Sequence, residues 1–157
     1  MRDEIWLNNR LETIWKLLIP EVERLNKVSI VFKGKWKTKF GDIKKLKDGS
    51  TRITVNSLFR HKDIPEHIID TTIAHELIHY MHGFQSPHKQ QFRYPHQGGI
   101  VNKELKKRGF ELLLKLEKQW VKTNWTKVIL PLKENAYISY SQDSNTQVSS
   151  PGFLFYN

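Results

Sequence analysis

Apolar residues recur at helical spacing near the start of the chain, at Ile5, Leu11, Ile14, Trp15, Leu18, Val22 and Leu25. This predicts a helix over residues 4–25 that Pro20 kinks or splits. Three segments then read as strands, over 28–32, 37–45 and 51–56. The last two flank Lys47-Asp48-Gly49-Ser50, and an Asp-Gly between such runs marks a hairpin. A second helix is expected from Asp63, because Asp63-Ile64-Pro65-Glu66 has the form of a capping box with proline in the first turn. Ile69, Ile73, Leu77 and Tyr80 give that helix a buried stripe, and Gly83 ends it. Residues 84–99 read as a long loop, of the kind that is usually functional or disordered. A third helix is expected over 100–122, with Leu105, Leu112, Leu116 and Trp120 on its inner face.

The last thirty or so residues change character. The stretch 139–150 is rich in Ser, Gln and Asn, and Pro151-Gly152-Phe153-Leu154-Phe155-Tyr156-Asn157 is aromatic again. The pattern divides the chain into a domain over 1–130 and a linker with an aromatic tail over 131–157. The tail is expected to dock on the domain or to lie in its substrate groove. The first residues carry acids and no long apolar run, so they do not read as a signal peptide. No apolar stretch approaches the roughly 20 residues of a membrane span. The expectation is a soluble, cytoplasmic monomer with no membrane partner.

Composition narrows the chemistry. The chain of 157 residues has no cysteine, which excludes disulfides, thiolate metal sites and cysteine nucleophiles. Any metal must be held by His, Asp or Glu. Lys and Arg number 26 against 16 acids, a net charge of +10, which points to a polyanionic partner, nucleic acid first, or simply to solubility. Lys33, Lys35, Lys37 and Lys39 alternate, so in an extended segment they share one side and form a candidate phosphate-binding stripe or a charged sheet edge. Trp120 and Trp125, among Lys118, Lys122 and Lys127, are candidates for stacking on bases or for the core.

The sharpest pattern is His75-Glu76-Leu77-Ile78-His79. Histidines four apart on a helix share one face, with Cβ atoms about 5–6 Å apart, and two nitrogens can then meet one zinc at about 2.0–2.1 Å. They lie off the apolar stripe, so core packing does not account for them. Glu76, one step round, can act as general base on a water that the metal acidifies. A catalytic zinc takes three protein ligands. His61, His67, His82, His88, His96 and Glu104 compete for the third place. His82 lies about 10 Å along the helix axis from His75, too far for one ion to join both.

Arg52-Ile53-Thr54-Val55-Asn56-Ser57-Leu58-Phe59 followed by Ile73-Ala74-His75-Glu76-Leu77-Ile78-His79 resembles the SprT-like (Spartan-like) zinc metallopeptidases, relatives of the YgjP-type and minigluzincin zincins. In that family a strand ending in asparagine precedes the zinc helix, and a third histidine follows in a loop beside glycine. Pro95-His96-Gln97-Gly98-Gly99-Ile100 and then Gly109-Phe110 match this in outline, with Gln97 where glycine is usual and Ile100 where an aromatic is usual. Trp36-Lys37-Thr38-Lys39-Phe40-Gly41 is similar to the YgjP-type group, whose earlier third histidine His88 and Phe92 would match. The resemblance spans residues 5–120 and favours His96 as third ligand over His88. It implies a peptidase, acting in many members on DNA-bound or DNA-crosslinked proteins.

The sequence therefore predicts an α+β, zincin-like domain, with a small antiparallel sheet packed on the motif helix and helices on either side. One Zn2+ is expected on His75, His79 and His96, with Glu76 as base and then proton donor. Arg93 and Tyr94 are the candidate oxyanion or substrate contacts, and Lys33, Lys35, Lys37 and Lys39 the candidate nucleic-acid contacts. A sheet-edge strand is expected to hold the peptide substrate extended. The rival readings are a nucleic-acid-binding module with structural zinc and a different zinc hydrolase.

Overall fold

The computed structural model describes residues 1–138, and these form four helices and one three-stranded mixed sheet. Helix α1 spans Glu4–Leu18. The Asp3 carboxylate caps it by accepting the Trp6 N–H at 2.8 Å. The helix ends before Pro20 and does not run on to residue 25. Proline bars helical geometry from the residue before it, and Ile19 has already left the helix at φ −132°, ψ 50°.

Strands β1 (Val28–Phe32), β2 (Gly41–Lys45) and β3 (Thr51–Val55) lie in the order β1-β3-β2. β2 and β3 make the expected hairpin, with Lys45 opposite Thr51. Asp48 turns the chain by accepting the Ser50 N–H at 2.9 Å and the Ser50 hydroxyl at 2.6 Å. β1 runs parallel to β3, with Ile30 opposite Ile53, so the sheet is mixed and not antiparallel as the pattern predicts. Burial explains the order. Thr51, Ile53 and Val55 are wholly buried and take the centre, whereas β2 ends in exposed Lys44 and Lys45 at the edge.

Helix α2 spans Glu66–Met81, and its N-cap lies two residues later than the capping-box pattern indicates. Pro65 takes the N-cap place, and Asp63 turns instead towards His61, whose Nδ1 accepts its N–H at 3.2 Å. The Arg2 guanidinium braces this entry by donating to the carbonyls of Phe59, His61 and Ile64. Ile69, Ile73, Leu77 and Tyr80 are fully buried as expected, and every other position from Ile68 to Tyr80 is buried too, at most 8% exposed. The helix is enclosed because α1, β2, β3, α3 (Ile100–Lys107) and α4 (Glu111–Ile138) all pack on it.

The helix predicted over 100–122 is two helices. Gly109, at φ 90°, ends α3: its N–H donates to Lys106 O, and the Phe110 N–H donates to Leu105 O at 2.9 Å. The break resets the helical phase. Leu105 stays buried, but Leu112 and Leu116 turn outward, 68% and 39% exposed, while Trp125 and Ile129 enter the core. The 130/131 boundary falls inside α4. The polar linker and aromatic tail after Ile138 lie outside the described residues. Among the described residues no helix is long and apolar enough to cross a membrane.

Candidate metal centre

Helix α2 stacks His75 and His79 one turn apart, and the loop after it brings His96 back over both. The Nε2 atom of His75 lies 3.0 Å from that of His79 and 3.0 Å from that of His96, and the third side of the triangle is 3.1 Å. Three neutral imidazoles cannot satisfy such a triangle by hydrogen bonding. Each Nε2 is either a donor or an acceptor, so at least one of the three pairs sets like against like. One cation that takes all three as acceptors removes the conflict. The spacing is also close to the roughly 3.3 Å that two nitrogens show on one tetrahedral ion with bonds of about 2.0–2.1 Å. These three histidines can hold a metal ion.

Electrostatics favour the ligand form. Burial, with neighbouring His79 and His96, holds the His75 imidazole well below its usual value. Burial, with His96 and His82, brings His79 down to about 3. Burial lowers His96 as well, though its residue is largely exposed and leaves one side of the cluster open. All three are therefore neutral at pH 7, as metal binding needs.

The other candidates for third ligand are engaged elsewhere. The His88 Nε2 lies 2.7 Å from the Glu23 carbonyl, and its ring is edge-on to Tyr80. Glu104 accepts from Arg108 at 2.8 Å. His82 is buried against Phe92, ring centroids 4.9 Å apart. His67 stands two turns upstream on α2, and His61 pairs with Asp63.

Glu76 is 2% exposed. Burial pushes its carboxyl well above the usual range; Asp42 adds to this and Lys39 opposes it. Lys39 lies in the segment entering β2 and Asp42 near the start of the strand, and the two pair at 2.6 Å. Asn56 pins that segment, and this explains an asparagine at the strand's end: its side-chain amide donates to the carbonyls of Trp36 and Lys39 at 2.8 Å each, and its Oδ1 accepts the Leu58 N–H.

The lysine stripe takes a different form from the extended one expected. Residues 33–40 leave the sheet as a loop. Lys33 and Lys35 are exposed, Lys37 supplies its carbonyl to Trp125 Nε1–H at 2.7 Å, and Lys39 lies over the Trp36 ring. Trp125 stacks on Phe40 in the core, and base stacking is not open to it.

A cleft of about 770 Å³ opens beside the cluster, with His75 and His96 in its wall together with Phe40, Leu105, Leu114 and Val121. Arg93 and Tyr94 pair with each other, guanidinium over ring, and are not among its lining residues; Asn102 and Lys106 are. The residues of α4 that face the cleft escape a sequence reading that runs one helix through Gly109. Leu114 and Val121, seven apart, were the available signal.

Comparison with protein-family models, with curated proteins and with solved structures found no match.

Proposed function

We propose that the protein is a zinc-dependent endopeptidase with a zincin-like fold, of the SprT-like kind that its motifs resemble. One observation carries the reading: three Nε2 atoms lie within 3.1 Å of one another, two of their histidines line an open cleft, and the helix that carries His75 and His79 also carries the buried Glu76 between them. Imidazole ligands suit several transition metals, and the glutamate between two helical histidines favours zinc. Zinc held by three imidazoles would acidify a water to a pKa of about 7 and polarise a carbonyl.

The chain's own residues supply the rest. A Glu76 carboxylate oxygen takes the proton of the attacking water and returns it to the leaving amine nitrogen. His75 and His79 are fixed by a helix packed on every side, so little reorganisation accompanies the reaction. Asn102 and Lys106 in the cleft, in preference to Arg93 and Tyr94, are the polar groups available to an oxyanion. A structural zinc would call for a fourth ligand, and the cluster among the described residues has three.

The test is elemental analysis of the purified protein, followed by digestion of an unfolded protein with and without chelator. One zinc per chain and chelator-sensitive cleavage are expected. Glu76→Gln should keep the zinc and lose nearly all activity, a fall of about 10²–10⁴-fold for loss of a general base. Full activity in that variant, or a protein that takes up no zinc, overturns the reading.

A further inference from the structure

The loop between α2 and α3 is held differently along its two halves. Residues 84–91 are tied to distant segments. The Gln85 side chain accepts the Lys45 N–H of β2 at 2.9 Å, and the Gln85 carbonyl accepts the Thr51 hydroxyl of β3 at 2.8 Å. The Ser86 hydroxyl donates to the Tyr80 carbonyl at 2.7 Å, and the His88 Nε2 lies 2.7 Å from the Glu23 carbonyl. Gln91 closes this half by donating to the carbonyls of Met81 and His82. Phe92 then packs on the His82 ring. Residues 93–99 are bound otherwise. Among the described residues their backbone hydrogen bonds are local: the Gln97 N–H donates to the Tyr94 carbonyl, and the Gly99 N–H to the His96 carbonyl. All but Pro95 are exposed, and Tyr94, 58% exposed, pairs only with neighbouring Arg93. The tie from this half to the rest of the domain is the His96 imidazole, at 3.0 and 3.1 Å from its two partners on α2.

We infer that residues 93–99 form a flap that metal binding closes, with His75 and His79 standing ready on α2 and His96 delivered last. This rests on the metal centre of the reading above and not on its peptidase chemistry. The three imidazoles cannot hold the flap shut by themselves, since at least one of their contacts sets donor against donor or acceptor against acceptor. A cation that takes all three as acceptors turns the same contact into a clasp. The far end of the flap can swing. Gly98 and Gly99 both have positive φ, 59° and 68°, and a Cβ at either would meet nothing within 4 Å. Glycine crosses between positive and negative φ without steric penalty, so rotation there meets neither its own backbone nor a neighbour. Beyond them the chain is fixed again, by the buried Val101 of α3. His96 and Gly99 also line the cleft. Its wall is therefore complete only with the flap shut, and metal loading and formation of the cleft are one event.

The test uses the full-length Glu76→Gln variant, which keeps the three histidines and excludes self-cleavage, stripped with chelator and then supplied with zinc. Zinc uptake is measured separately by elemental analysis. Arg93 offers trypsin a cut at the start of the flap, and exposed Lys89 offers one in the anchored half. Zinc should slow the cut after Arg93 about tenfold or more and leave the cut after Lys89 unchanged, because such cleavage follows the population of the locally open form. Hydrogen exchange followed by mass spectrometry should show the Gln97 and Gly99 amides, the hydrogen-bonded ones of the flap, slowed by a similar factor. Residues 66–81 should keep their protection with and without zinc. With His96→Ala added, zinc should produce neither change, even at concentrations that saturate the weakened site. Zinc uptake with both rates unchanged overturns the flap and leaves the metal centre standing. So does protection lost over 66–81 in the stripped protein, since the loosening is then general. A protein that takes up no zinc overturns the metal centre itself.

Discussion

Phe84 lies edge-on to His79, ring centroids 6.2 Å apart, and its N–H donates to the His79 carbonyl at 2.9 Å. The motif that ends α2 thus seats a candidate metal ligand. Gly83 makes it possible, at φ 82°, with its N–H on the Tyr80 carbonyl. A Cβ there would also meet the backbone of Lys89 and Gln90 at 2.5 Å. Gly83→Ala should therefore cost more than the roughly 1 kcal/mol of an ordinary glycine replacement, read by urea unfolding. Phe84→Ala should leave α2 folded and weaken zinc about tenfold, as loss of a supporting contact does. Unchanged affinity would show that His79 needs no such support.

His96 and His88 compete in the sequence, and their surroundings separate them. His96→Ala removes one corner of the nitrogen triangle. It should weaken zinc by more than the roughly 10–100-fold of a lost supporting contact. His88→Ala loses a contact to the Glu23 carbonyl and should leave zinc affinity near wild type. Competition with a chromogenic chelator measures both, and the opposite order would move the third ligand to His88.

His82 should make stability depend on pH. Burial holds its imidazole below the ordinary value, Glu104 opposing and Arg108 adding. A lowered histidine contributes nothing adverse above its unfolded value of about 6.5. As pH falls below that, the unfolded chain takes the proton first, and stability is lost by up to about 1.4 kcal/mol per pH unit until the folded value is reached. Buried Glu76 and Asp70, both raised, act in the opposite direction, so the comparison is with His82→Gln at each pH. Relative to that variant, wild type should lose ground as pH falls below about 6.5. A constant difference would place His82 in water.

The charge of +10 should give salt-dependent binding to nucleic acid, and the exposed cations of the hairpin are the better test of it. Lys44 stands opposite Arg52 across the β2–β3 pair, and Lys47 follows in the turn. Reversal of Lys39 would break its pair with Asp42 and confound folding with binding. Lys33→Glu, Lys44→Glu and Lys47→Glu together should weaken binding to DNA and flatten the slope of log affinity on log salt by about two to three units. No binding at low salt, in single- or double-stranded DNA, would leave the charge to solubility.

Local geometry was legible along the chain. Residues four apart on a helix share a face whatever surrounds them, so His75 and His79 were paired by spacing alone. Asp48-Gly49 and Gly83 likewise set a hairpin and a helix end through their own backbone preferences. Contacts between distant segments were not so determined. His96 reaches His75 across 21 residues, and His88 and Glu104 had the same formal claim until Glu23 and Arg108 engaged them. The place of β3 at the centre, the parallel β1, and the outward turn of Leu112 and Leu116 all follow from which surfaces the whole chain can bury at once. Helical spacing is a property of neighbouring bonds, whereas a third ligand, a strand order and a cleft are outcomes of packing, which only the folded chain decides.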